Sequence, residues 1–418
     1  MATMTLSEEL TWRGFVNQST FANITELDEK TRTFYHGFDA SADSQTVGNL
    51  AGMMFDKVFM RHGYKAVVLA GGATSLIGDP GGKDKERVLQ NEETIAHNIA
   101  CAQEQLQKVF RGQQFTMVNN LDWTKTMSVL EFLRDIGKHF SMTSLVQRDY
   151  IAKRLGQGGA GISYTEFSYT LLQGMDFLHL FDTMDVTLQL GGADQWGNCL
   201  SGVDLIRRAR AADTHVITMP LIINKATGKK FGKSEAGAVW LDPARTSPTQ
   251  FYQFWINVDD ESAEDYLKIY TELDKPSIDG IMAEHRHDPR QRVAQTRLAL
   301  EVTQLVHGDD EARTAQDITA VLTGKKPVGE LTDAALTAMR REVPAATLAA
   351  DDGVVQALAK SGLAASTSEA RQLLKDGAVY VNGQPATADT LAADQFQNGR
   401  LLLRKGKVLK NTALIERS

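Results

Sequence analysis

A chain of 418 residues with 42% hydrophobic residues and a formal net charge of −7 has room for two or three domains with sizeable cores. The acidic balance argues against a protein held to nucleic acid by overall charge, no apolar run reaches the length of a membrane span, and the N-terminal segment, with Glu8, Glu9 and Arg13 and no apolar core, does not read as a secretory signal. Two sparse cysteines, Cys101 and Cys199, make neither a disulfide framework nor a zinc site, and suit a reducing cytoplasm.

In chain order, apolar runs at 34–39, 66–71, 115–119, 187–190 and 215–221 read as strands, separated by helical patterns such as 92–110 and 128–136. Strand–helix alternation predicts an α/β fold, a Rossmann-like doubly wound parallel sheet over 1–224, with ligands at the carboxyl ends of the strands. Residues 225–246 read as a mobile loop and connection, 247–322 as a helical domain, and 328–350, Ala-rich with Pro344, as part of a linker spanning 323–350. Over 351–418 two short helices precede a strand that enters Asn382-Gly383, a type I′ turn signal, and a later strand begins at Arg400. From Arg400 onward Arg400, Arg404, Lys405, Lys407, Lys410 and Arg417 stand against Glu416, a local charge of six minus one, or +5, on an acidic protein.

Two segments carry chemistry. Lys230-Phe231-Gly232-Lys233-Ser234 places two ammonium groups around a glycine, suited to neutralising charge on a leaving pyrophosphate. Upstream, Gly37-Phe38-Asp39-Ala40-Ser41-Ala42-Asp43-Ser44-Gln45-Thr46-Val47-Gly48-Asn49-Leu50 follows a strand end, and Asp43 or Ser44 is expected to cap a helix whose N-terminal N–H groups suit phosphate. Tyr169, Gln173 and Asp176 share one face of an otherwise apolar helix, which is either its solvent face or a buried site.

With Ile77-Gly78-Asp79-Pro80, Gly191-Gly192-Ala193-Asp194-Gln195 and Phe251-Tyr252-Gln253-Phe254-Trp255, these segments resemble class I aminoacyl-tRNA synthetases, whose two signatures are written HIGH and KMSKS. The runs resemble the bacterial tyrosyl-tRNA synthetases in particular, in order over nearly the whole chain, and the C-terminal segment resembles an S4-like RNA-binding module. The resemblance implies a tyrosine–tRNA ligase that makes tyrosyl-adenylate from L-tyrosine and ATP, with Mg2+ on the nucleotide, and passes tyrosyl to tRNA(Tyr). Tyr35 and Asp176 would hold the substrate phenol; Asp79, Tyr169 and Gln173 its ammonium group; Gln195 its carboxylate region. Gly37, Asp39, Ser41, Thr46, Gly48, Asn49, Gly192, Asp194 and Lys233 would bind ATP. Lys230, Lys233, Ser234, Lys83 and Arg87 would act on the pyrophosphate, with no resident metal. A cytoplasmic homodimer is implied, with an interface near 132–142.

The family's first signature carries histidines where Thr46 and Asn49 stand. The shorter hydroxyl at 46 raises a second reading, an RNA-binding relative weakened in catalysis; a third, a tryptophanyl enzyme, has the Tyr35–Asp176 pair and the S4-like segment against it. His36 is expected to face away from the pocket, because alternation along the strand opposes it to Tyr35.

Overall fold

The computed structural model describes residues 4–79, 90–146, 149–156, 159, 161–225, 228, 230–234 and 237–417, with the backbone alone at 144, 149, 150, 153, 233 and 234. The chain forms two compact units, one of Met1–Thr246 with Val258–Leu298, the other of Ser247–Asn257 with Ala299–Ser418.

The first unit is built on β1 (Thr33–Phe38), β2 (Lys65–Ala70), β3 (Phe115–Asn119), β4 (Val186–Gly192) and β5 (His215–Met219). They run parallel in the order β3-β2-β1-β4-β5, and Gln18–Ser19 lies antiparallel along the β5 edge. In β2 the Ala-Val-Val-Leu-Ala run is buried throughout, the pattern of a strand covered on both faces. On one face Tyr35, Val67 and Leu69 pack with Leu172, Phe177 and Leu205, which belong to α4 (Tyr164–Met184) and α5 (Trp196–Arg210). On the other, Phe34 meets Phe59 of α2 (Val47–Arg61). The helices α1 (Leu6–Arg13) and α3 (Glu92–Val109) complete the frame. Strand order reverses at β1, between β2 and β4, which places the ligand crevice at the carboxyl ends of β1 and β4.

Two local expectations need correction. Neither Asp43 nor Ser44 caps α2; Thr46 does. Asp43 is taken by an ion pair with Arg245, and the Ser44 hydroxyl accepts from Gln105 and from the Asp242 N–H, each at 3.1 Å. The run 128–136 is not one helix: Val129–Glu131 passes into a π-helical turn, Phe132–Ile136, and a 3-10 turn, Gly137–His139.

The helical stretch 247–322 is divided between the units. Arg13 donates to the carbonyls of Lys268, Thr271 and Leu273 at 2.6 to 2.9 Å, and Lys57 pairs with Glu272 at 2.8 Å. Both tie the helix Asp260–Tyr270 to α1 and α2. Glu9 completes this network: burial works to raise its pKa, but His62, Arg61 and Arg13 outweigh burial and hold the carboxylate at about 2. The helix Pro248–Ile256 packs instead along Asp309–Leu322.

In the second unit the expected linker is core. The helix Asp333–Glu342 buries Ala335, Leu336 and Met339 against Ile318 and Val321, and β6 (Ala345–Leu348) joins a five-stranded sheet. Its other strands are β7 (Val379–Val381), β8 (Gln384–Pro385), β9 (Arg400–Lys405) and β10 (Thr412–Arg417). The order is β8-β7-β9-β10-β6, antiparallel except that β6 runs parallel to β10. Asn382 and Gly383 both take positive φ, 47° and 82°, as the type I′ turn between β7 and β8 requires. Helices Val354–Lys360 and Thr367–Lys375 cover the sheet's apolar core. No helix among the described residues is long and apolar enough to cross a membrane.

Candidate active site

A cleft of about 500 Å³ opens over the carboxyl ends of β1 and β4. Its inner end is set by α4. Ser163 caps that helix through Glu166, whose carboxylate also receives Arg154 at 2.6 Å. The polar stripe that follows is buried: Tyr169 is 6% exposed and Asp176 2%. Asp176 accepts from the Asn120 amide and from the Trp123 indole, both at 2.9 Å. Burial pushes its carboxyl up to about 7, although these two bonds work to lower it. Across the pocket the Tyr35 hydroxyl is buried with no hydrogen-bond partner among the described residues. A buried hydroxyl without a partner beside a desolvated carboxylate asks for a ligand with one more polar atom.

Further along the cleft Asp79 accepts from Gln195 at 2.8 Å, and Gln195 in turn receives the Asn198 amide at 3.1 Å. Tyr169 donates to Asp39 at 3.3 Å, which ties the polar face of α4 to the end of β1. Gln173 lies against the Cys199 sulfur at 3.9 Å. Asp79, Asp39 and Asp176 thus all line the cleft, and their carboxylates attract an ammonium group.

The outer end is lined by Gly37, Ser41, Thr46, Gly48, Asn49 and Gly192, with Asp194 and Lys230 facing each other at 3.8 Å. A Cβ at Gly192 would stand 2.6 Å from the Asp194 carboxylate, so a side chain there would displace that carboxylate from its present position. The start of α2 is not a bare anion site. The Val47 N–H donates to the Val239 carbonyl at 3.0 Å, and the Thr46 hydroxyl donates to Asn49 at 2.7 Å. Lys233 and Ser234 pair through their backbones with Gly237–Ala238; Lys83 and Arg87 lie outside the described residues.

His36 does point to the α2 face, opposite Tyr35, yet it still lines the cleft, because the crevice crosses the strand ends and takes in both faces. Its Nδ1 meets Asp56 at 2.7 Å; burial works to lower its pKa, and the Asp56 carboxylate overrides this and raises it. The sequence reading missed this pair, and it missed Asn120 and Trp123. The latter two had a signal: they follow β3 directly, at the strand end where a parallel sheet puts its ligands.

A parallel sheet with a carboxylate-lined crevice at its strand reversal, closed at one rim by a two-lysine loop, defines a class I synthetase site. Comparison with known proteins agrees. Residues 27–322 match the family model described as tRNA synthetases class I (W and Y), and residues 335–415 match that of the tyrosine–tRNA ligase SYY-like C-terminal domain. The chain is similar to a tyrosine–tRNA ligase of Bacteroides fragilis, 42% identical over 99% of both chains. It is similar to tyrosine–tRNA ligase 2 of Bacillus thuringiensis, 41% identical over 99% of this chain and 100% of that one. A C-terminally truncated mitochondrial tyrosyl-tRNA synthetase of Aspergillus nidulans superposes with a TM-score of 0.67 at 31% identity, covering 75% of this chain and 92% of that one. The chain belongs to the bacterial tyrosyl-tRNA synthetases, the tyrosine–tRNA ligases.

Proposed function

We propose that this cleft joins L-tyrosine to ATP and passes the tyrosyl group to tRNA(Tyr), with its residues in the following roles. The phenol enters the inner end, donating to Asp176 and meeting the Tyr35 hydroxyl. The ammonium group sits among Asp79, Tyr169 and Gln173, and Gln195 faces the carboxylate region. ATP lies across Gly37, Asp39, Ser41, Thr46, Gly48, Asn49, Gly192 and Asp194. The tyrosine carboxylate attacks the α-phosphorus in line; a ribose hydroxyl at the tRNA 3′ end then attacks the mixed anhydride. Neither step needs an enzyme nucleophile. What the chain supplies is placement, and cations where the pyrophosphate leaves. Those cations are Lys230 and Lys233, and Lys83 and Arg87 on resemblance alone, with the Ser234 hydroxyl assisting.

The observation that carries this reading is the unpartnered Tyr35 hydroxyl beside the buried Asp176, a polar dead end shaped for a phenol rather than a phenyl ring. Tyrosine-dependent exchange of labelled pyrophosphate into ATP tests it, with phenylalanine and tryptophan in parallel. Exchange driven equally by phenylalanine, or better by tryptophan, overturns it. Among the described residues no three His, Cys, Asp or Glu side chains group closely enough to hold a metal ion; magnesium is proposed to arrive on the nucleotide, held by phosphate oxygens and water.

Position 46 offers a separate check. Thr46→His is expected to lower KM for ATP by adding a donor that reaches further than the hydroxyl. An unchanged or slower exchange rate would argue against a phosphate role for the position. A homodimer is proposed on the exposed apolar side chains Leu133 and Met142 of the predicted interface stretch, 49% and 61% exposed, with Val129 and Leu130 just before it, 75% and 78% exposed. Sedimentation equilibrium should return twice 45.9 kDa, and a monomer mass at micromolar concentration removes the proposal. The second unit is proposed to take the tRNA through the basic run that begins at Arg400, and a cytoplasmic location is proposed from the two free cysteines.

A further inference from the structure

Phe231 is the one large apolar side chain of the lysine loop, and its ring is only 9% exposed. It stacks on Tyr266, with ring centroids 4.2 Å apart and planes 28° from parallel. Tyr270 stands behind, 5.9 Å from Phe231 and edge-on to Tyr266 at 6.1 Å. The two tyrosines are four residues apart on the helix Asp260–Tyr270 and so share one face. That helix is held to α1 by Arg13, whose guanidinium binds three carbonyls at and just beyond its C-terminal end.

The loop's other sides are gripped as well. Gly232 has φ +99°, and a Cβ there would stand 3.1 Å from the Gly48 nitrogen, so the loop backbone presses on the first turn of α2. The Gly232 carbonyl accepts from Val239 at 3.1 Å, and Phe231 donates to the Ile222 carbonyl at 2.8 Å. These bonds settle the main chain at 231–232. They do not by themselves stiffen it, because a glycine at positive φ adds freedom rather than rigidity. The buried ring does, since it can be docked or undocked but not slid.

We infer that Tyr266, backed by Tyr270, is a positioning residue for adenylate formation. It forms the socket that docks Phe231 and so sets where Lys230 and the backbone of Lys233 stand over the nucleotide. The inference rests on the reading of this cleft as the ATP site. An aromatic pair of this kind shifts the balance between docked and undocked loop by up to about tenfold beyond its buried area. The effect falls on kcat, because charge on the leaving pyrophosphate builds up only in the transition state.

The test is pyrophosphate exchange by the full chain, with equilibrium dialysis of tyrosine alongside. Tyr266→Leu is expected to lower kcat by about tenfold while tyrosine binds with unchanged Kd. Tyr266→Phe, which keeps the ring, should recover most of the rate. Phe231→Leu should show the same loss, and the double variant should fall no further than either single one, because both remove one contact. A Tyr266→Leu chain that exchanges at the full rate overturns the inference. So do losses that multiply in the double variant, or a loss of tyrosine binding in proportion to the rate, which would mark the ring as packing only. A wild-type chain that exchanges nothing overturns the functional reading together with the inference; an active wild type beside an unaffected Tyr266→Leu overturns the inference alone.

Discussion

Asp176→Asn should cut kcat/KM for tyrosine by about 10²-fold, the worth of a charge-assisted hydrogen bond made in a desolvated pocket. The substitution keeps the shape and removes the charge. It also creates a conflict, because Asn120 and Trp123 both aim donors at position 176, and an amide brings an NH₂ group against one of them. Preference for tyrosine over phenylalanine should narrow by a similar factor, since phenylalanine never used the lost acceptor. The titration follows from the same burial. A carboxyl at about 7 in the free chain is half protonated near neutrality, and its ionised form is the stronger acceptor for the phenol. Exchange at subsaturating tyrosine should therefore rise with pH through about 7 and level off above it, and Asp176→Asn should flatten the curve.

Stability runs in the opposite direction. Between the ordinary carboxyl value of 3.8 and about 7 the native chain binds a proton that the unfolded chain has released. The contribution of Asp176 is therefore fully present below pH 3.8 and is lost as pH climbs through about 7. Thermal melts of wild type and Asp176→Asn across that window measure the difference. A wild-type activity profile with no inflexion between pH 6 and 8 would show that Asp176 does not titrate there, and an Asp176→Asn chain that keeps the wild-type kcat/KM for tyrosine would remove it from the phenol site.

Lys230→Ala and Lys233→Ala should each lower kcat for pyrophosphate exchange by about 10²-fold, the usual scale for removing one preorganised group aimed at developing charge. KM for tyrosine should hold, because the inner pocket is untouched. Lys230 is 65% exposed and lies 3.8 Å from Asp194, too loose a contact to hold the side chain in place. The cost of its removal is therefore catalytic rather than structural, and melting temperatures should barely move. Single-turnover measurement of adenylate formation isolates the step. If either variant forms adenylate at the wild-type rate, that lysine does not act on the pyrophosphate.

Local chemistry made much of this protein legible in its sequence. The strands β2, β4 and β5 show as apolar runs, because a strand buried on both faces has no polar alternation to hide it. Asn382-Gly383 announces its turn, because few other residue pairs tolerate two positive φ values in succession. The lysine loop, the polar stripe on α4 and the glycine pair at the end of β4 are each contiguous, or one helical face, and need no distant partner to be noticed. The stretch 323–350 was readable too. Leu331, Ala335, Leu336 and Met339 repeat at helical spacing, but alanine and Pro344 masked the pattern.

Tertiary structure alone decided what meets what. Whether the stripe on α4 faced water or a buried pocket turned on helices and strands brought over it from elsewhere in the chain. The donors that clamp Asp176 stand 53 and 56 residues before it. The cap of α2 moved to Thr46 because Arg245, Gln105 and Asp242 reach Asp43 and Ser44 from far along the chain. The ring that docks Phe231 lies 35 residues beyond it, on a helix that the sequence assigned to another domain. Propensity and periodicity act over one or two turns; the desolvation and pairing that give these side chains their charge state and position exist only once the chain has closed around them.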